Sequence, residues 1–360
     1  MISYGKQSID QSDIDTVVEV LKGDWITQGP AVEKFEEDIK HYFGSIHTCA
    51  VANGTAALHL TGLALGWKPG DIVITSPITF LATTNCIVYS GATPDFIDID
   101  PETWNISIEK LENKLKISKK KGRLPKLIIV VHLGGLPVNP IKLNNLSKKY
   151  KFKIIEDASH SLGGKYYSKN VGCSKWSAIT IFSFHPVKII TTGEGGCCTT
   201  NKKKYYEKLK ALRNNGIIEE RKNFKFKNLG PWYYEQHSLG YNFRMNDIQS
   251  ALGISQLKNL NIFVKKRNKI AKFYCNQLKN LPIKFQKIEK NFYSTYHLFI
   301  IKLDVKYKYL HKKFFNYLRS KNMYVNLHYL PIHLQPFYRK NFKYKSSYSD
   351  CIFHILARNI

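Results

Sequence analysis

At 360 residues, 43% of them hydrophobic, the chain is long enough to enclose a large core and a smaller second one. No apolar run approaches the roughly 20 residues that span a bilayer, no signal-type segment follows Met1, and seven cysteines without CxxC spacing predict neither a disulfide framework nor a zinc site. The expectation is a cytoplasmic protein with reduced thiols, no metal and no membrane insertion. A net charge of +28 raises the question of nucleic acid. Runs such as Lys119-Lys120-Lys121 and Lys202-Lys203-Lys204 are, however, only part of a lysine excess spread over every segment. No nucleic-acid-binding signature accompanies it, so no nucleic-acid partner is expected.

Residues 8–23 carry Ile9, Ile14, Val17, Val18 and Leu21 at helical spacing, and 31–43 repeat the pattern after a turn-rich 24–30. Residues 48–52 lead into Asn53-Gly54-Thr55-Ala56-Ala57-Leu58, a glycine turn opening an alanine-rich helix whose first N–H groups would face an anion. Strands are predicted at 71–76 and 94–99, with Phe80 at a strand-to-helix turn between them, and then at Leu127–Val131 and 153–155. The last of these ends in Glu156-Asp157-Ala158-Ser159-His160. A further strand over 178–184 is followed by Lys188 and the cluster Gly193, Gly195 and Gly196. This alternation predicts an α/β fold, a mixed and mostly parallel sheet flanked by helices, with its ligand site beyond the carboxyl ends of the strands. Helices follow at 201–215 and from Asp247 to Leu278. Strand–helix–strand order over 296–303, 307–320 and 325–329 then predicts a smaller C-terminal α/β domain.

Lys188 sits among small and apolar neighbours. Desolvation there would lower its pKa and free the amine for Schiff-base chemistry, although a lysine at a strand end can also snorkel to solvent. A carboxylate ending one strand beside a lysine following another suits pyridoxal 5'-phosphate, which needs a lysine for its aldehyde and an acid for its ring nitrogen. Asp157 is the candidate acid. Thr55 and Ala56 of the glycine turn, with Ser183, are the candidate phosphate cradle. His160 is placed to contact the ring or its 3-oxygen, or is a satisfied structural histidine.

Four motifs in order, NGTAAL, EDASHSLG, FSFHPVKIITTGEGG and GYNFRMNDIQSALG, resemble the DegT/StrS group of sugar aminotransferases, and the likeness runs from about Tyr4 to about Tyr338. The resemblance implies a fold-type I, pyridoxal-phosphate-dependent enzyme that moves an amino group from an amino acid, L-glutamate, to a nucleotide-linked keto-sugar. It implies that Phe80 stacks on the cofactor ring and that Asn242 reaches the cofactor phosphate of the other subunit, hence a homodimer with shared active sites. It also places Thr27, His328 and Tyr329 near the sugar. The implied division is a large cofactor-binding domain over 1–255, whose first 30 residues pack on the small domain, and a linking helix plus small domain over 256–360. One departure stands out. The chain reads CIFHILARNI after about Asp350 where relatives have a longer tail, so the small domain is expected to lack its last strand and helix, weakening stability and turnover.

Overall fold

The computed structural model describes residues 3–218, 220–226, 229–344 and the backbone of 355–358. The chain opens with two helices, α1 (Gln11–Lys22) and α2 (Pro30–Phe43). α2 begins at Pro30, where the missing N–H falls in a first turn that has no use for it, and ends at Gly44, held at φ 69°. Strands and helices then alternate: β1 (His47–Val51), α3 (Gly54–Leu65), β2 (Ile72–Thr75), α4 (Leu81–Tyr89), β3 (Thr93–Phe96), α5 (Ile108–Lys120), β4 (Leu127–Val131), α6 (Pro140–Tyr150) and β5 (Lys153–Asp157). Two short strands, β6 (Lys165–Tyr166) and β7 (Lys169–Asn170), precede β8 (Ile179–Ser183), β9 (Gly196–Thr200) and α7 (Lys203–Arg213).

Seven of these strands make one sheet in the order β1-β9-β8-β5-β4-β2-β3. β9 is antiparallel to both neighbours and every other pairing is parallel, which is the mixed, mostly parallel sheet expected. β4 reads Leu-Ile-Ile-Val-Val because helices cover both of its faces. Leu127 and Ile129 join a cluster with Leu58 and Leu60 of α3, while Ile128 and Val130 join Leu111 of α5 and Leu143 of α6. Each such side chain contributes about 1.5–3 kcal/mol by leaving water. β1 is an edge strand, yet the outward backbone of Ala50 is occupied. Its N–H donates to the Glu36 carboxylate at 2.7 Å and its carbonyl accepts from the Arg213 guanidinium at 2.7 Å, the two side chains being themselves an ion pair.

After β10 (Ile217–Ile218) and β11 (Glu235–Gln236) comes the long helix α8 (Asp247–Leu278), whose limits match the sequence expectation. Asn246 and Gln249 form a reciprocal capping box at its start. Asp247 in its first turn accepts the N–H groups of Gly29 and Ala31, tying the starts of α2 and α8 together. α1 lies along α8 with its polar side inward: Gln256 donates to Asp13 at 2.6 Å, and Ser12 meets Ser255. Asp13 is consequently buried, whereas Ile9, Ile14, Val18 and Leu21 remain exposed. The helical spacing is as expected; its apolar stripe faces away from the core.

The C-terminal part contains β12 (Ile283–Phe285), β13 (Phe292–Tyr293), β14 (Phe299–Leu303), α9 (His311–Ser320), β15 (Asn326–Leu327), α10 (Pro336–Phe342) and β16 (Ile355–Arg358). A second sheet has the order β12-β14-β16-β15. A strand does occur beyond the point of departure. Residues 355–358 pair antiparallel with both β14 and β15, so their backbone groups find ladder partners on two sides. Residues 345–354, where the departure from the family's tail begins, lie outside the described residues. Among the described residues no helix is long and apolar enough to cross a membrane.

Candidate active site

A cavity of about 530 Å³ opens at the carboxyl ends of β5 and β8, against the start of α3. Its wall brings together Thr55, Phe80, Asp157, His160, Ser183 and Lys188, and from the C-terminal part His328 and Tyr329. Three other candidates do not line it. The Ala56 N–H is taken by the Asn53 side-chain oxygen at 2.8 Å. Thr27 is exposed in the segment before α2, and Asn242 is exposed on an isolated bridge to Asn214.

Alternation along β5 sends Asp157 to this cavity and Glu156 to the opposite face. The Asp157 carboxylate is aimed by two hydroxyls: Thr83 donates to Oδ2 at 2.6 Å and Ser159 to Oδ1 at 2.7 Å. Thr83 has one proton to give, so its 2.8 Å contact with Thr79 makes Thr79 the donor there. These bonds fix the orientation of the carboxyl group without supplying a counter-cation.

Lys188 follows β8 in a tight turn, its N–H bonded to the His185 carbonyl at 2.8 Å. The residue as a whole is half-buried, but burial around its amine pulls the pKa down to about 8, and the nearby charge of Asp157 opposes that fall only in part. Near neutral pH a larger share of this amine is therefore unprotonated, and nucleophilic, than in an ordinary lysine. The phosphate-sized corner is made by α3 and β8. A Cβ added to Gly54 would lie 2.8 Å from the Ser183 Cβ, so only glycine lets the helix start approach that strand end. Phe80 caps α4 and presents its ring to the cavity, 57% exposed and 6.3 Å from the Tyr329 ring.

The far wall is aromatic. The Tyr4 hydroxyl lies 2.6 Å from His328 Nε2, and the two rings stack at 5.4 Å. Burial raises the Tyr4 pKa to about 12 and, with the Lys188 charge adding to it, lowers that of His328 to about 4. His160 is held well below the ordinary imidazole value by burial first and by Lys188 second. Both histidines are thus neutral donors or acceptors at neutral pH. The sequence left Tyr4, Thr83, Ser159 and His297 unassigned although all four line the site. Thr79 lies two residues before α4 and Thr83 in its first turn, so their contact depends on how the loop enters the helix. His297 carries no local signal at all.

These residues fit pyridoxal phosphate: an amine with lowered pKa, a doubly hydrogen-bonded acid, a helix N-terminus beside a serine hydroxyl, and an aromatic face. Lys188 would hold the aldehyde, Asp157 the ring nitrogen, and Thr55 with Ser183 the phosphate. Bound there, the cofactor supplies an electron-withdrawing ring that takes up the charge left on an amino acid's α-carbon.

Comparison with known proteins reaches the same chemistry independently. The profile of the DegT/DnrJ/EryC1/StrS aminotransferase family matches residues 7–354. The chain is 40% identical over 345 residues to the UDP-4-amino-4,6-dideoxy-N-acetyl-beta-L-altrosamine transaminase of Campylobacter jejuni, covering 94% of this chain and 86% of that protein. It is 40% identical over 339 residues to an uncharacterized protein of Methanocaldococcus jannaschii, with the same coverage, 94% and 86%. Among solved structures it is similar to Helicobacter pylori PseC, an aminotransferase involved in the biosynthesis of pseudoaminic acid, with a TM-score of 0.89 and 30% identity over 99% of this chain and 93% of that one. With the lysine, the acid and the cradle meeting in one cavity of this fold, the chain belongs to the DegT/DnrJ/EryC1/StrS aminotransferase family and is a pyridoxal-phosphate-dependent aminotransferase.

Proposed function

We propose that the enzyme moves an amino group from L-glutamate to C4 of a UDP-linked 4-keto-6-deoxy-N-acetylhexosamine, in the biosynthesis of pseudaminic acid or a related surface sugar. The observation that carries this reading is the 40% identity, over 94% of the chain, to a transaminase of that sugar type. The site supports it: Tyr4, His328 and Tyr329 form an uncharged, hydrogen-bonding wall of the kind that recognises sugar hydroxyls and an acetamido group.

In this reading Lys188 Nζ takes the proton from the donor's α-carbon, a task its lowered pKa suits. Asp157, held by Thr83 and Ser159, keeps its negative charge facing the ring nitrogen. Thr55 and Ser183 bind phosphate oxygens, and Phe80 packs on the ring face. The division into 1–255 and 256–360 is part of the proposal, as is a homodimer in which Asn242 of the partner subunit completes the phosphate site. The exposed position of Asn242 in this chain, away from the cavity, is what a cross-subunit role requires. Thr27, likewise exposed, is proposed to meet the sugar once two copies associate.

The test is a panel of 4-keto sugar nucleotides offered to the glutamate-treated enzyme. L-Glutamate should change the visible absorbance of the bound cofactor, and the UDP-linked N-acetylated 4-keto sugar should restore it fastest. Restoration by a GDP- or dTDP-linked sugar alone would overturn the substrate assignment while leaving the aminotransferase standing.

A further inference from the structure

We propose that His297 is a positioning residue of this site: its ring backs the His160 imidazole and fixes it against the cavity. The two ring centroids are 4.4 Å apart, inclined by 37°. On its other side His160 faces Tyr329, stacked at 6.4 Å, with the hydroxyl 3.4 Å from Nε2. The Nδ1 atoms of both His160 and His297 are buried and have no hydrogen-bond partner among the described residues. The His160 ring is thus held by ring contacts and one long hydroxyl contact rather than by a short hydrogen bond at Nδ1.

His297 itself sits on a pinned backbone. Thr295 N–H donates to the Gly135 carbonyl and Leu298 N–H to that of Gly134. The Thr295 hydroxyl donates to the His160 carbonyl at 2.6 Å, and the Arg267 guanidinium reaches the carbonyls of Tyr296 and His297. A Cβ on Gly135 would lie 2.1 Å from Thr295 Oγ1, so the two loops interlock at a glycine that cannot be replaced. The chain continues from His297 almost at once into β14 of the second sheet. The ring pair thus joins that sheet to the carboxyl end of β5. Burial first, with the nearby Lys188 and Arg267 charges adding to it, holds the His297 imidazole well below its usual pKa, and a neutral ring is the form that packs best against another.

The inference rests on the cofactor site assigned above, and the experiment separates the two. His297→Ala, His297→Phe and His297→Gln are compared with wild type for cofactor dissociation, absorption maximum of the bound cofactor, kcat and KM, and melting of the cofactor-free protein. The alanine variant should release cofactor about tenfold more readily, shift the absorption maximum and lower kcat by about tenfold with KM for the donor little changed. Phenylalanine should restore all three and glutamine none. Unchanged behaviour of the alanine variant, or rescue by glutamine rather than phenylalanine, overturns the proposal. If alanine lowers the melting temperature too far, the contrast between phenylalanine and glutamine decides alone. Wild-type protein that takes up no cofactor would overturn the site assignment and this proposal together. Uptake by wild type with no ranking among the variants overturns only the proposal.

Discussion

Glu156 and Asp157 are neighbouring carboxylates on one strand, 3% and 4% exposed, so burial does not distinguish them. What differs is the company on each face of the sheet. Glu156 is enclosed: Tyr166, Ser177 and Thr180 donate to it at 3.1, 2.9 and 2.6 Å, and His132 Nε2 stands 3.6 Å away. His132 accepts the Val138 N–H at Nδ1, which leaves its proton on Nε2, towards Glu156. Burial pushes the Glu156 pKa up, but His132 and the hydroxyls together outweigh it and hold the acid below its ordinary range. Asp157 has two hydroxyl donors and a cavity in front of it. The pair teaches that a closed network makes a carboxylate structural, and an open face leaves it available for chemistry.

That contrast can be broken deliberately. The largest effect is expected from Asp157→Asn, which should cut turnover by roughly 10²–10³-fold, as the loss of one charge-stabilising group at a reacting centre does. Its melting temperature should stay within a few degrees of wild type, checked by calorimetry beside steady-state kinetics. Glu156→Ala should do the reverse. It leaves three hydroxyls and His132 facing a void and should cost about 3–5 kcal/mol of stability, read from denaturant midpoints, while turnover per folded enzyme changes only a few-fold. Thr83→Val sharpens the comparison by removing one donor from Asp157 and leaving the acid in place. Turnover should fall about tenfold, in keeping with one hydrogen bond to a charged group.

The smallest effect concerns Lys188 and pH. Its pKa is about 8 in the folded protein against 10.5 ordinarily. Between those values the unfolded chain binds the extra proton, so the stability of the cofactor-free protein rises with pH across that window through this group. Lys188→Met should therefore be more stable than wild type below pH 8, and the advantage should vanish by about pH 10.5. Paired unfolding curves at several pH values, taken as differences, measure it.

How far the sequence revealed this site depended on the range of each contact. Leu127–Val131 was legible because a strand covered on both faces is apolar without interruption. Asp157 and Lys188 were legible because strand ends in an α/β sheet gather at one place. His297 was not, since nothing in Ser294-Thr295-Tyr296-His297 says that this turn will meet Gly135 and His160, far away along the chain. α1 shows the limit of periodicity: its spacing gave the helix, but the Asp13 bond to Gln256 decided which side faces the protein. Thr27 and Asn242 came from family resemblance alone, and a single chain holds both outside its own cavity.

The ion pair at the outer edge of β1 has a consequence for biosynthesis. As the chain is made, Glu36 appears just before Ala50, whereas both β9 and Arg213 come much later. Until then β1 has neither its inner neighbour nor the guanidinium that occupies its outer carbonyl, so a nascent chain carries an unpaired strand open on two sides. Such a strand is a template for pairing with another nascent copy. Closure comes from both directions within one short interval of synthesis, β9 adding the inner ladder and α7 delivering Arg213 to the outer edge. The protection of this early strand is thus encoded long after the strand itself.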